Sequence, residues 1–275
     1  MAGKLYLVGT PIGNLSDFSP RGVETLANAD FIAAEDTRVT LKLLNHFGIK
    51  KELVSYYEHN RAESGEKIVA RILTGETCAL VSDAGMPAIS DPGEDLTRQC
   101  AENGIEVQVV PGPSAVVSAL ALSGLPTGRF TFEGFLSVTK KSRFEHLDSL
   151  RGEKRTMVFY EAPHKLTATL RDMREVLGDR PVALCRELTK LHEETRRTTL
   201  SEALAYYTEN PPRGEFVLVV GGATEDAAPA VTLEDAVNLV LELKNQGMSL
   251  KDAAKRASQR TGLSKNAIYD AALDR

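Results

Sequence analysis

The feature that most constrains this chain is a repeated stop: before residue 116, five short runs of apolar and β-branched residues each end at a loop of polar or turn-forming residues. Strands are expected at Lys4–Val8, Phe31–Glu35, Leu53–Tyr56, Thr77–Val81 and Glu106–Val110. Between them, Glu66–Leu73 and Asp95–Ala101 space apolar residues at three and four, as a helix covering a sheet does. Parallel neighbours need a long crossover, usually a helix, so this alternation predicts beta-alpha-beta units around a largely parallel sheet.

Ser123–Gly128, SGLPTG, breaks the pattern with two glycines and a proline and reads as a linker. Residues 1–122 are expected to form one α/β domain and residues 123–222 a second. The second carries strands at Phe130–Phe135, Thr156–Tyr160, Val182–Arg186, Glu194–Thr199 and Phe216–Val220, with helices near Arg143–Leu150, Leu166–Leu177 and Ser201–Tyr207. Neighbouring strands without an intervening helix predict a mixed sheet there. Residues 223–275 read as a tether, ATEDAAPAV, and three short helices across Leu233–Leu273. Leu250, Ala253, Ala254 and Ala257 mark one buried face at i, i+3, i+4 and i+7, and Thr261-Gly262-Leu263-Ser264 supplies a glycine stop and a serine start. The expected fold class is therefore α/β: two α/β domains plus a small C-terminal helix-turn-helix-like segment.

With 275 residues, 42% hydrophobic and 26% charged, the chain has ample material for folded cores. A formal charge of -5 argues against holding nucleic acid by bulk electrostatics, so any RNA contact needs local basic patches. Cys78, Cys100 and Cys185 lie far apart, with neither CxxC nor Cys/His pairing, so no metal site and no disulfide framework is expected. No run approaches the ~20 apolar residues of a membrane span, and the N-terminal run is too short for a secretory leader. A cytoplasmic protein without a membrane partner is expected.

Open α/β sheets bind ligands beyond the carboxyl ends of their strands, and three loops there carry chemistry. In Gly9-Thr10-Pro11-Ile12-Gly13-Asn14 the glycines let backbone approach a ligand, while Thr10 and Asn14 offer hydrogen bonds. It does not match GxGxxG, and no GxxxxGK[ST] occurs, so neither a dinucleotide fold nor a P-loop is supported. Ser82-Asp83-Ala84-Gly85-Met86-Pro87 leads to Asp91-Pro92-Gly93, a helix-entry turn. An acidic side chain suits ribose hydroxyls or an ammonium, and free amides suit a carboxylate. Turn geometry is the competing account; it explains Asp91, read here as structural, better than Asp83. In Pro111-Gly112-Pro113-Ser114-Ala115, Ser114 stands near a helix N-terminus whose amides accept anions, or is a simple cap. Together the three loops describe a pocket for a small zwitterionic nucleoside.

GTPIGN, AEDTR, SDAGMPAISDPG, VPGPSA and YEAPHK, in this order and spacing, resemble the ribosomal small-subunit methyltransferase I family, within the tetrapyrrole-methylase-like class of S-adenosylmethionine enzymes. The resemblance covers essentially the whole chain, tail included. It implies a homodimer with S-adenosylmethionine folded into a cleft between the two α/β domains, and 2'-O-methylation of a cytidine in 16S rRNA of the small subunit. It places the cofactor against Thr10 and Pro11, Asp83, Ala84, Gly85 and Met86, Ser114 and Ala115, and Tyr160, Glu161 and Ala162. Tyr160 and Glu161 end the apolar run Met157-Val158-Phe159, so they project from a rigid edge, although Tyr160 also fits a core-edge aromatic with a wet hydroxyl.

Methyl transfer from a sulfonium is an in-line displacement, which asks a protein for alignment and exclusion of water. A ribose hydroxyl is a weak nucleophile and gains from a hydrogen-bond acceptor or general base. In Glu35-Asp36-Thr37-Arg38, Arg38 can hold a phosphate while Glu35 or Asp36 orients the hydroxyl; alternatively Asp36 or Thr37 caps helix Val39–Asn45, with Arg38 as its ion-pair partner. Tyr56, His59, Asn60 and Arg61 combine stacking, titration and polar contacts suited to single-stranded RNA, though a lone histidine in a polar loop is more often a surface residue. Lys140, Lys141 and Arg143, with Arg151-Gly-Glu-Lys154-Arg155 beyond, flank a helix and suit the rRNA backbone; solvated helix ends are the default account. Arg186 and Glu187 bind substrate or pair with each other. In the tail, Lys251, Lys255, Arg256, Arg260 and Lys265 stand against one acidic residue, a face for phosphates or a merely solvated one. The rival readings are a related methyltransferase acting on a tetrapyrrole or protein side chain, and a nonenzymatic RNA-binding assembly factor.

Overall fold

Five parallel strands form the first sheet: β1 (Lys4–Val8), β2 (Phe31–Ala34), β3 (Glu52–Ser55), β4 (Cys78–Val81) and β5 (Glu106–Val110), in the order β3-β2-β4-β1-β5. The structure, a computed structural model, describes residues 3–224, 233–245, 248–261 and 263–273, and the side chains of residues 245, 259 and 260 lie outside that description. Inner strands β2 and β4 are buried at every position, as parallel strands covered on both faces must be. On one face α3 (Arg61–Leu73) and α4 (Gly93–Glu102) press Ile68, Ile72, Leu96 and Cys100 onto Leu5, Phe31 and Leu80. On the other, α1 (Pro20–Asn28) and α2 (Thr37–His46) press Leu26 and Leu44 onto Val8, Ile32 and Val81.

The second sheet holds β6 (Phe130–Phe135), β7 (Thr156–Glu161), β8 (Pro181–Arg186), β9 (Glu194–Thr199) and β10 (Phe216–Val220), in the order β6-β7-β10-β8-β9. Only β6 and β7 run parallel; β10 is antiparallel to both its neighbours, and β9 to β8, giving the mixed sheet. Helices α6 (Lys140–Ser149), α7 (Pro163–Leu177) and α8 (Leu200–Glu209) cover one face with Leu147, Leu170, Met173 and Leu200. The other face is covered by α5 (Ala115–Ser123), which follows β5 of the first sheet. Its sequence AVVSALALS is apolar nearly all round and needs cover on more than one side. Val116, Ala119 and Leu120 pack on Val158, Ala183, Cys185 and Val219, and the near-complete burial of Val116 and Leu120 is worth on the order of 1.5–3 kcal/mol each. Gly124, at φ +73, then turns the chain out of the helix. The three cysteines are buried and unpaired.

Residues Met1–Gly222 form one compact unit and Ala223–Arg275 another. In the latter, α9 (Leu233–Asn245), α10 (Leu250–Thr261) and α11 (Lys265–Leu273) share a core of Val237, Val240, Ala253, Ala254, Ala257 and Ile268. The Ser249 hydroxyl accepts the Asp252 amide at 3.2 Å and caps α10. Gly262 of the expected turn lies outside the described residues.

Candidate functional site

The loops after β1, β4 and β5 are locked together by glycine. A Cβ on Gly112 would stand 2.7 Å from the Gly9 carbonyl oxygen, so two backbones touch where any side chain would wedge them apart. The Gly112 amide points at Met86 Sδ, 3.3 Å away. Thr10 and Gly85 exchange both backbone hydrogen bonds, at 2.9 and 3.1 Å, and the Thr10 hydroxyl donates to the Ser82 carbonyl at 3.3 Å. Gly85 sits at φ +86, a conformation in which glycine alone is unstrained.

Beside this knot a cleft of about 660 Å³ opens between the two sheets, a size usual for small-molecule sites. The first sheet contributes Glu35, Asp83, Ala84, Gly85, Met86, Ser114 and Ala115, and the second Tyr160, Glu161 and Ala162, all singled out from the sequence. Thr10 and Pro11 are absent from the lining; Thr10 is buried and ties two loops together, and Ile12 lines the cleft instead. Sequence reasoning missed the apolar wall of Ile89, Phe135, Leu188, Phe216 and Val217. Apolar residues in strands and loop rims read as core, and only the facing of two sheets shows that they border a cavity.

Electrostatically the cleft is acidic. Asp83 accepts the Asp36 amide at 3.0 Å. Partial desolvation raises the Asp83 carboxyl above the ordinary range, and desolvation, then repulsion by Asp83 and Asp91, raises Glu35. Asp91 accepts the amides of Gly93 at 2.7 Å and Ala88 at 2.9 Å, the turn role read from its sequence. It clamps a loop in which Ala88 and Ser90 hold φ of 66° and 59°, a strain that persists only where surroundings over-determine it. Glu161, buried, accepts the Thr169 hydroxyl at 2.5 Å and the Ala162 amide at 2.8 Å, fixing the β7–α7 turn. Burial pushes the Tyr160 hydroxyl pKa up. Ser114 makes no side-chain cap bond, so α5 presents a leading amide, that of Ala115, at the cleft wall. Cys185 also lines the cleft, but burial raises its thiol, the opposite of an activated nucleophile. Amides, carboxylates and apolar walls in one cleft suit a zwitterion bearing hydroxyls.

Several expected acceptor-side residues have other work. Asp36 caps α2 through the Arg38 amide at 2.8 Å and grips the Arg38 guanidinium at 3.0 and 2.6 Å, which holds its carboxyl down to about 2. The capping alternative is thus the one seen. Tyr56 is 1% exposed and donates to the Pro92 carbonyl at 3.1 Å, with its pKa pushed up to about 12 by burial. That corrects its reading as a stacking platform. The exposed aromatic is Tyr57, edge-on to His59 at 6.2 Å, and His59 is exposed outside the cleft lining. Asn60 braces its own loop, accepting from the Tyr57 amide at 2.8 Å and donating to the Ser55 carbonyl at 3.0 Å; Arg61 pairs with Glu58 at 3.2 Å. Arg143 is withdrawn from solvent: its Nε meets Asp172 at 2.7 Å and its Nη1 the Ser137 carbonyl at 3.0 Å, with the two side chains 16% and 10% exposed. It is a structural tie, not a phosphate ligand. Lys140, reaching over Phe144, and Lys141, 3.9 Å from Glu145, remain exposed, as does Arg256 on α10. The Arg260 side chain lies outside the described residues. Arg186 pairs with Glu194 at 3.1 Å and Glu187 with Lys190 at 3.0 Å, so the two do not pair with each other. Among the described residues no group of His, Cys, Asp and Glu is placed to hold a metal, and no helix is long and apolar enough to cross a membrane.

The family Tetrapyrrole (Corrin/Porphyrin) Methylases matches residues 4–204, and the RsmI C-terminal HTH domain matches residues 231–275. A protein of Synechocystis sp. named ribosomal RNA small subunit methyltransferase I is 48% identical over 273 residues, 99% of this chain and 98% of its own length. Its namesake from Halalkalibacterium halodurans is 47% identical over 98% of this chain and 94% of itself. Among solved structures, a uroporphyrin-III-C-methyltransferase of Thermus thermophilus is similar in fold, with a TM-score of 0.56 and 24% identity over 80% of this chain and 94% of its own. Matched end to end at this identity, the chain belongs to the ribosomal RNA small subunit methyltransferase I family of the tetrapyrrole methylases.

Proposed function

We propose that this chain methylates a cytidine 2'-hydroxyl in 16S rRNA of the small ribosomal subunit, using S-adenosylmethionine. The observation that carries the reading is the composition of the cleft: the leading amide of α5, the carboxylates of Asp83 and Glu35, and the left-handed Gly85 backbone face one cavity. Those groups fit an amino acid joined to a nucleoside, with amides for its carboxylate and the Asp83 carboxylate for its ammonium or ribose hydroxyls, which leaves Glu35 to the acceptor. When bound, S-adenosylmethionine supplies an electrophilic methyl on a sulfonium. The chain's own part is to align and to exclude water: Thr10 and the Gly9–Gly112 contact hold the loops, and Glu161 holds the opposing turn. Glu35 is assigned to accept the hydrogen bond of the ribose hydroxyl, because its carboxylate lines the cleft and its raised pKa makes it a better proton acceptor than an ordinary glutamate.

The RNA acceptor rests on the names of the relatives and on exposed Lys140, Lys141 and Arg256. The homodimer, the cytoplasmic setting and a division of labour between residues 1–122 and 123–222 are carried by the resemblance and the sequence pattern. The test is transfer of labelled methyl from S-adenosylmethionine to small subunits lacking the modification, with nuclease mapping of the product. Label on a cytidine ribose supports the reading. Label on a base or on protein, or none at all, overturns it.

A further inference from the structure

Strand β6 contains a bulge that turns one side chain around. Its register against β7 runs Phe132↔Val158, then Gly134↔Phe159 and Phe135↔Tyr160, leaving Glu133 as the extra residue. In an unbroken strand Phe132 and Phe135 would point to opposite faces. With the bulge both point to the face that looks at the cleft, and both rings meet Tyr160, at 5.1 and 5.4 Å between centroids. The device needs Gly134, at φ +64, and a single inserted residue, an arrangement that re-aims a side chain beside functional sites. The side chain so re-aimed is large, apolar and left 61% exposed.

The strained loop of Ala88 and Ser90 borders the same mouth. A Cβ on Gly134 would lie 3.6 Å from Ser90 Oγ, so this loop passes beside the bulge, and it carries Ile89, 55% exposed and also lining the cleft. Two exposed apolar side chains, one from each sheet, thus flank a solvent-facing opening whose interior is acidic. Folding does not require either to be bare. An aromatic face at the entrance, backed by a second ring, is the surface on which an unstacked nucleobase is held.

Building on the RNA-methylation reading, we propose that Phe135 is the stacking platform for the base of the acceptor nucleotide, with Ile89 bordering the same mouth. The base is splayed onto Phe135 from solvent, which carries its ribose to Glu35 inside the cleft.

The test compares Phe135→Ala, Phe135→Leu and Phe135→Trp with the parent in methyl transfer to unmodified small subunits, alongside S-adenosylmethionine affinity by calorimetry. Loss of stacking is expected to lower kcat/KM for the subunit on the order of ten- to a hundredfold in the Ala and Leu variants, mainly through KM. Cofactor affinity is expected to stay within about twofold, and Trp to restore activity. Parent-like kinetics in Phe135→Ala overturn the proposal. So does parent-like behaviour of Phe135→Leu, which would show that apolar bulk suffices, or a loss matched by weakened cofactor binding, which would give the ring to the adenine. Should the Ala variant fail to fold, the Leu and Trp pair decides alone. A parent that methylates no RNA overturns the functional reading itself, and this proposal with it.

Discussion

Replacing Gly112 by alanine isolates the contact on which the three-loop knot depends. The new Cβ would lie 2.7 Å from the Gly9 oxygen, 2.8 Å from its carbonyl carbon and 2.9 Å from its Cα. All three are backbone atoms of a loop that Thr10 pins to Gly85, so no flexible side chain can swing aside. The backbone angle of Gly112 is not left-handed, so the penalty is steric rather than torsional. Overpacking of this kind costs about 2 kcal/mol. In a unit of some 222 residues that lowers Tm by roughly 4–8 °C. Relief comes from separating the β1 and β5 loops, which moves the amino end of α5 off the Gly85 loop and is expected to reduce kcat/KM more than tenfold. Gly128→Ala serves as the control, since its Cβ meets nothing within 4 Å, and it should melt within about 1 °C of the parent. Thermal melts with methyl-transfer kinetics decide the matter. A Gly112→Ala protein that melts with the parent and turns over like it would refute the role given to the glycine contact.

Three further expectations concern charge. Glu35→Gln should abolish turnover while keeping cofactor binding. Because the folded Glu35 pKa is raised, its charged form is disfavoured by folding: its contribution is fully present below the ordinary carboxylate range and lost as pH rises through the raised pKa. The Gln variant should therefore melt above the parent at pH 7 and converge with it in acid, and an equal Tm at every pH would show that folding does not raise the Glu35 pKa. Asp83→Ala should weaken cofactor affinity about tenfold by calorimetry, and unchanged affinity in a folded variant would take Asp83 out of the site. Arg143→Ala leaves Asp172 buried and unpaired, at a cost of about 3 kcal/mol and a Tm drop of roughly 6–12 °C, with rRNA affinity of the folded fraction unchanged. Weakened RNA binding at full stability would restore it as a phosphate ligand.

Much of the fold is legible because strand ends are punctuated locally. The expected limits of β1, β5, β6, β9 and β10 coincide with the observed ones, and β1, β5 and β10 are largely apolar or β-branched runs beside Gly or Pro. Helix α1 carries a start signal that can be read in sequence, since Ser19 caps it through the Gly22 amide and Pro20 opens it. The polar half of the cleft was visible because aspartate, glycine and serine at strand ends advertise chemistry by type. What stayed hidden depends on direction or on distant partners. Tyr56 and Tyr57 look equivalent in a row, yet neighbouring positions at a strand end point oppositely, and the buried one is Tyr56. Arg143 reads as one of a basic trio until Asp172, 29 residues on, claims it. Phe135 reads as an ordinary strand residue because an alternating template cannot register the extra residue at Glu133.

The placement of α5 also bears on how the chain is made. The helix emerges from synthesis directly after the first sheet, but the surface that shelters Val116, Ala119 and Leu120 is built from β7, β8 and β10, the last of which ends at Val220. About a hundred further residues must be translated before it can dock, several seconds at ordinary elongation rates. Throughout that interval the nascent chain carries an uncovered apolar helix, the kind of surface that holdase chaperones bind. Cutting the gene at the linker between residues 123 and 128 would leave the same helix permanently bare on one fragment and its seat bare on the other. The two sheets are thus joined by burial that neither fragment completes alone, so each half expressed by itself should aggregate.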